Sequence, residues 1–431
     1  LPTVFLFTER SFKNSGAWGG ETGIQEAFVD RNQLVEMARD NIAHARAGTI
    51  RQMPDVFKVK ADIYTDEERF ESEKKLIFRR MPLMLAPTAE LPNPGDYKAM
   101  DAVGVPVLLT RGKDGKVRAF LNSCTHRGTA VALGSGNASR FICGYHGWTF
   151  NREGELIGVA SRDDFGEVNT DELGLRPFPV LEKAGLIWAI LDPNSDLDIS
   201  AFLSGYDDLL EGFGFETWHF LESRTLAGPN WKIAYDGYLD FYHLPILHGE
   251  TFPNVSNKAM YYAWGPHQRV TTPAINDGRP PEHSMINLDA HPEDEWPMET
   301  LMSGIWTIFP HISIASFYGS GREVMISQLF PGEKVGESIT VQVYLTEKQP
   351  TQETRDGAVD MFKLLEYVVQ HEDYGTGLRQ QKALDAGMTE YVYFGRNEGG
   401  GQIFHGWVQK LLETGNDDLN RLFTPDRQAA E

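Results

Sequence analysis

Both cysteines of this 431-residue chain lie within three residues of a histidine, and that coincidence constrains the fold more than any other feature. The segments read Cys124-Thr-His126-Arg-Gly and Cys143-Gly-Tyr-His146-Gly-Trp, with sixteen residues between His126 and Cys143. With two cysteines and twelve histidines in the whole chain, two such pairings are improbable by chance. Two thiolates and two imidazoles suit a tetrahedral zinc site, or a [2Fe–2S] cluster in which two histidines replace two cysteines on one iron. The order separates these. Zinc ligands tend to come as Cys pairs and His pairs, whereas here each loop supplies one of each, which suits two irons with each loop touching both. So few residues separate Cys from His that each loop must fold tightly around sulfide. Gly128, Gly144 and Gly147 permit that approach, and turn N–H groups can then donate to the sulfurs and tune the potential.

The rest of the composition excludes several classes. Hydrophobic residues make up 41% and aromatic residues 11%, as in a globular enzyme. No run approaches the ~20 apolar residues of a membrane span. The apolar start, Leu1 to Phe7, is cut short by Glu9, Arg10 and Lys13, so no signal peptide is expected, and with it a cytoplasmic location. In that setting a lone disulfide between Cys124 and Cys143 is improbable. A net charge of −21 argues against nucleic acid and against an anionic membrane surface as partners.

Length predicts two domains or one large composite domain. Residues 1–60 read as a helical extension: Ile24 to Ala47 spaces Ile24, Phe28, Leu34, Met37 and Ile42 at roughly helical intervals among many charges, predicting one or two solvated helices. Thr65 to Phe78 predicts a helix with Asp66, Glu67 and Glu68 in its first turn. Short β-rich runs follow, at Val105 to Thr110, Val117 to Leu121 and Leu186 to Leu191, punctuated by Asp114-Gly115 and Glu153-Gly154. These mark a small, mostly β domain at 61–190. Residues 191–431 predict a mixed domain: a helix from about Ile233 to His248, strands at Ile305–Phe309, His311–Phe317, Glu323–Phe330 and Ser338–Leu345, and a long helix from about Thr354 to Ala386. The last strand alternates apolar and polar residues, as a half-buried antiparallel strand does. Helices on an antiparallel sheet give an α+β class. The Pro- and acid-rich stretch 273–298 reads as a long loop.

A second constellation lies in that domain: Asn230-Trp-Lys-Ile-Ala-Tyr-Asp236-Gly-Tyr-Leu-Asp240-Phe-Tyr-His243-Leu-Pro-Ile-Leu-His248. On an ideal helix His243 and His248 stand about 140° apart, too far to share a metal. Pro245 should widen or break the helix, and a π-like turn would bring the two rings to one face, with Asp240 one turn before His243. Two imidazoles and one carboxylate leave three positions of an iron open, the arrangement of non-haem Fe(II) oxygenases.

Cys-x-His followed by Cys-x-x-His resembles the Rieske motif, and Asn-Trp-Lys with Asp-x-x-His-x-x-x-x-His resembles the catalytic motif of the Rieske non-haem iron oxygenases, the large (alpha) subunits of the aromatic-ring-hydroxylating type. The resemblance runs from about residue 70 to 415. It implies a small Rieske [2Fe–2S] domain joined to a helix-grip-like catalytic domain. Cys124 and Cys143 are implied on one iron of the cluster, and His126 and His146 on the other. His243 and His248 are implied as ligands of a mononuclear Fe(II). Asp240 is implied as a bridge between His243 of its own chain and a Rieske histidine, His146, of a neighbouring chain. The third iron ligand in the family is an Asp followed eight residues later by Gln on a long helix, which fits Asp373 and Gln381, with Glu372 and Asp360 as competitors. His405 reads as a packing histidine. One departure is visible: the family often has Glu-Asn where this chain has Asp236-Gly237.

The implied activity is that of a terminal oxygenase: hydroxylation, dihydroxylation or oxidative demethylation of a small, aromatic substrate with O2. Electrons would come from NAD(P)H through a separate reductase, with or without a ferredoxin, since Gly19-Gly20 and Gly399-Gly400-Gly401 lack the setting of a dinucleotide fingerprint. A head-to-tail homotrimer, with or without a small beta subunit, is the implied assembly. Tyr238, Leu239, Leu244 and Leu247 read as pocket or core residues, with Phe309 and Phe317. The rival readings are an electron-transfer or binding protein with an inactive second domain, and a zinc-stabilised binding protein.

Overall fold

The computed structural model describes residues 30–275, 283–318 and 321–423. The expectations for Ile24 and Phe28, and for the middle of the 273–298 stretch, lie outside them.

Helix α1, Arg31–Ala47, is capped by Asp30, whose side chain accepts from the Gln33 N–H, and closes on Gly48 at φ 65°. Its expected solvation is corrected. Leu34 and Ala38 are fully buried, with Met37, Asn41, Ile42 and Ala45 beside them. This stripe recurs every three to four residues, and the molecule's main core covers it. The Asn41 amide donates to Thr271, and Arg31 donates to the carbonyls of Glu293 and Trp296. The spacing of Leu34, Met37 and Ile42 is visible in the sequence, but the surface that covers them is not.

Helix α2, Glu67–Glu73, continues as a π turn over Lys74–Phe78. The β-rich region follows as three small antiparallel sheets. Five strands pair in the order Pro177–Phe178, Val117–Leu121, Val105–Arg111, Asp96–Ala102, Ser135–Asn137. Leu186–Ala189 lies between Val180–Lys183 and Leu83–Pro87, and Thr149–Asn151 lies between Arg140–Ile142 and Leu156–Gly158. A separate core of Leu108, Phe120, Phe141, Trp148 and Phe150 encloses both cysteines.

The C-terminal half is built on a seven-stranded antiparallel sheet. Its spatial order is His219–Gly228, Ser338–Thr346, Arg322–Pro331, Ile312–Tyr318, Ile305–Ile308, His267–Thr271, Met260–Trp264. Both faces are covered. On one, the Gln328 amide donates to the Met84 carbonyl of the β-rich module. On the other lie α3 (Trp231–Leu239), α4 (Leu244–Leu247), the long helix α5 (Gln352–Tyr367) running through a π segment Val368–Asp373 into α6 (Tyr374–Asp385), and α7 (Gly399–Glu413). The strand Ser338–Thr346 therefore alternates only at its start and is buried continuously from Gln342 to Thr346. The described part of 273–298 is not a plain loop: it contains short helices at Met285–Ala290 and Glu293–Glu295, and another begins at Met298.

Candidate metal centres

The two Cys/His loops fold alike. In the first, the Gly128 N–H donates to the Cys124 carbonyl, and the Cys124 N–H to the Thr129 carbonyl, both at 2.8 Å. In the second, Gly147 and Trp148 repeat those bonds around Cys143 at 2.9 and 2.8 Å. Gly128 and Gly147 have φ of 87° and 71°, a region only glycine enters freely, so the turn geometry requires them. The loops bring both free thiols together, each 3% exposed. Burial raises the Cys124 thiol above its ordinary value, while the N–H groups of His126 and Arg127 pull it down. The His126 and His146 rings meet with centroids 4.7 Å apart, and Trp148 stacks on His126 at 4.8 Å. Burial and the neighbouring His126 lower His146, and its buried Nδ1 has no hydrogen-bond partner. An orphaned ring nitrogen beside two buried thiols with N–H groups aimed at sulfur is a donor set that fits an iron–sulfur cluster.

The second site starts from the Asn-Trp-Lys motif. Asn230 caps α3 by accepting from the Lys232 N–H, and its amide donates to Tyr64 and Val335 carbonyls. The Trp231 indole and the Lys232 ammonium both donate to Glu73 of α2, 2.9 and 2.5 Å away. Lys232 and Glu73 are fully buried, and Arg69 gives the same carboxylate a further partner at 3.0 Å. Gln381 accepts from the Asn230 N–H at 3.1 Å, so the residue eight positions after Asp373 ties α6 to the start of α3. Asp236 holds the other end: it accepts from the Tyr64 hydroxyl and lies 2.9 Å from the His405 ring. His405 is thus a buried packing histidine, as expected.

The expected continuous helix with a widened turn at Pro245 is corrected. Helix α3 ends at Leu239, and Asp240 is extended at φ −114° and ψ 130°. Its carboxylate accepts from the Tyr242 N–H, an Asx turn that competes with the helix. Pro245 then sits in the first turn of α4, where no helical N–H is needed. The chain break, not a wider helix, lets the two rings meet. A π turn does occur, but in the other arm, where Val368–Asp373 ends on Asp373.

His243 Nε2 and His248 Nε2 stand 3.2 Å apart. Asp373 Oδ1 is 3.1 Å from His248 Nε2 and 3.6 Å from His243 Nε2. Ligands about 2.1 Å from one ion and at right angles lie about 3.0 Å apart, so these three atoms fit a shared metal on one face. Among the described residues this is the one group of three or more such side chains close enough to share an ion. Asp360 is exposed and pairs with Lys363. Glu372, the other competitor, does not join the three donor atoms: it lies 2.6 Å from His248 Nδ1 and accepts from the Thr251 hydroxyl. Burial lowers His248, but Asp373 and Glu372 together outweigh it and raise the ring. Asp240 lies 3.0 Å from His243 Nδ1. Each histidine thus has a carboxylate behind it, which fixes tautomer and orientation. Glu372 in this role and Glu73 escaped the sequence reading; the first sat beside Asp373 as a competitor, the second lies 159 positions from Lys232 and left no local signal. Leu239 and Phe309 are core residues, each 1% exposed, while the Tyr238 phenol lies near Asp373.

Residues 81–171 match the Rieske [2Fe-2S] domain, and residues 215–414 match the catalytic domain of the ring hydroxylating alpha subunit. The carnitine monooxygenase oxygenase subunit of Escherichia coli (strain K12) is 32% identical over 207 residues, 45% of this chain and 53% of that protein. The chain thus spans about half the length of the curated relatives it matches first. The structure is similar to the quaternary ammonium Rieske monooxygenase in complex with L-carnitine (TM-score 0.68, 21% identity, 84% of this chain and 97% of that one). It is also similar to naphthalene 1,2-dioxygenase from Rhodococcus sp. (TM-score 0.69, 21% identity, 89% and 99%). No helix among the described residues is long and apolar enough to cross a membrane. With its Rieske [2Fe–2S] domain and its mononuclear-iron type of catalytic domain in sequence, the chain belongs to the Rieske oxygenases, on the side of the large, ring-hydroxylating alpha subunits.

Proposed function

We propose that this chain is the terminal oxygenase component of a Rieske system, with residues 61–190 as its electron-storing domain, 191–431 as its catalytic domain and 1–60 as an extension. Cys124, Cys143, His126 and His146 hold the cluster. His243, His248 and Asp373 hold the mononuclear iron. The convergence of those last three side chains carries the reading, since an electron-transfer protein has no use for a second set of ligands with open positions. When loaded, the two centres supply stored electrons and the activation of O2. The chain's own residues do the rest. Asp240 and Glu372 orient the two imidazoles from behind, and Asp240 also makes the link toward a neighbouring chain's His146 in a head-to-tail trimer. The buried Glu73–Lys232 pair holds α3 in place.

The substrate is a small organic molecule that is hydroxylated, dihydroxylated or oxidatively demethylated, with electrons delivered by an NAD(P)H-dependent reductase, directly or through a ferredoxin. Relatives bear names of both kinds, acting on carnitine, glycine betaine, 2-aminobenzenesulfonate or 2,4-dinitrotoluene, so a quaternary ammonium compound stands beside the aromatic one as the substrate. Iron analysis tests the class: about three irons per chain are expected of an oxygenase, about two of an electron carrier, none of a zinc protein. Oxygen uptake with a surrogate reductase, matched to product across aromatic and quaternary ammonium compounds, then tests the reaction. A loaded protein that consumes no oxygen with any of them refutes it.

A further inference from the structure

The face of the seven-stranded sheet turned toward the metal ligands is polar where a core sheet is ordinarily apolar. Arg224, Gln342, Ser327, Ser313 and Thr307 stand directly opposite one another across five adjacent strands. Residues paired this way project to the same face. Gln342 and Ser327 are fully buried, and Arg224 keeps only 13% of its side chain exposed. Tyr238 of α3 comes down onto this row, beside Ser327, Gln342 and Tyr374, with Asp373 of the metal centre next to it.

These side chains are incompletely paired. Arg224 Nη2 and the Ser313 hydroxyl are buried without a partner, while the Tyr238 hydroxyl meets the Ser327 hydroxyl, Gln342 and Tyr374 only at poor hydrogen-bond geometry, which leaves the Ser327 hydroxyl and Gln342 Nε2 short of a full bond. Buried polar atoms are nearly always satisfied, so several under-satisfied groups in one place mark a position where another molecule belongs. The orientation is informative. Arg224 Nε donates to Gln342 Oε1 at 2.7 Å, which turns the Gln342 amide nitrogen away from the pair. Arg224 Nη1 donates to the Phe362 carbonyl and lies 3.5 Å from Glu366, a half-exposed acid, while the guanidinium stacks on the Phe362 ring at 3.6 Å. Glu323, also buried on this side, accepts from the Tyr344 hydroxyl. Burial lowers Arg224 to about 10, so it stays charged at neutral pH. The guanidinium and amide nitrogens can only donate, and the hydroxyls are free to donate. Their natural complement is a group with several lone pairs and a negative charge.

We propose that Arg224, Gln342, Ser327 and Tyr238 form a subsite for a carboxylate group of the substrate, which sets the remaining carbon skeleton against His243, His248 and Asp373. The inference rests on the oxygenase reading for where the chemistry occurs, and adds to it the anionic end of the molecule. Water alone in the subsite is the opposing account.

The test uses the iron-loaded full chain. Acetate, butyrate and benzoate are each titrated against the corresponding amide, reading the EPR signal of the nitric-oxide adduct of the ferrous centre and, independently of that iron, the shift in melting temperature. At least one carboxylate should bind tenfold or more tightly than its amide. Arg224→Met should weaken that carboxylate about ten- to a hundredfold and leave the amide within about twofold. Arg224→Lys should keep part of the preference, and Gln342→Leu should lower it in a background that retains the guanidinium. No preference in the wild-type protein by either readout, or one that survives Arg224→Met, overturns the subsite. Absence of any nitric-oxide adduct while the melting shift remains selective would instead overturn the metal-centre reading and leave the subsite standing.

Discussion

Glu372→Ala removes a single group that touches His248 from behind and touches no other of the three converging donors. The carboxylate lies 2.6 Å from His248 Nδ1 and keeps 15% of its side chain exposed, so the contact is charge-assisted and largely out of water. Such bonds contribute about 1.5–3 kcal/mol. Loss of an acceptor behind a metal-binding imidazole lowers metal affinity about 10- to 100-fold, which is about 1.4–2.8 kcal/mol, so two independent routes give the same size. Part of the loss is recoverable, because Thr251 Oγ1, freed from Glu372 Oε1, can relax toward the ring. The assay is a chelator titration that follows the nitric-oxide signal of the mononuclear site, with the reduced-cluster EPR signal as an internal standard. The cluster should stay at full occupancy while the mononuclear site weakens 10- to 100-fold. Glu372→Gln keeps an acceptor but loses the charge and should fall between. Equal iron affinity in Glu372→Ala, or parallel loss of the cluster, refutes the assigned role.

Other outcomes follow from the same geometry. Asp240→Ala should weaken the mononuclear iron to a degree similar to Glu372→Ala, leave the cluster loaded and, once excess Fe(II) has restored the iron, still stop turnover in an oxygen-uptake assay; turnover retained at full loading removes Asp240 from the electron path. Lys232→Met strands Glu73 with only Arg69 and Trp231 and should cost about 3–5 kcal/mol in denaturant melts, while the double change Glu73→Gln with Lys232→Met should recover most of it. Asp207 is raised from 3.8 to about 6, chiefly by burial, then by Asp208, with Lys183 opposing. Its charged form is therefore the disfavoured one in the folded state, and its penalty grows as pH rises from about 4 to 6. Asp207→Asn should stabilise the protein by about 2–3 kcal/mol above pH 6 and change nothing below pH 4; a pH-independent gain would point to packing.

The clustered ligands were legible in the sequence because their geometry is local. Cys124 with His126, and Cys143 with His146, lie on turns closed by hydrogen bonds spanning four or five residues, and Gly128 and Gly147 supply the positive φ those turns need. Asp240, His243 and His248 were legible as a group for the same reason, although the device that joins them was misread: an Asx turn at Asp240 ends the helix before Pro245 can distort it. Strands such as Arg322–Pro331 and Ser338–Thr346 were legible from their runs of β-branched and aromatic residues.

What lay far apart in the chain was decided only in three dimensions. Asp373 and Glu372 are neighbours of like charge, and the rotation of a helix through its π turn determines which carboxylate meets the two Nε2 atoms and which stands behind His248. The stripe of α1 needed a partner surface before its burial could be known. The row Arg224, Gln342, Ser327, Ser313 comes from four separate strands, each contributing one unremarked polar residue, and strand register alone brings them side by side. Local spacing fixes what a loop can hold, whereas register and helix rotation fix which distant side chains share one space.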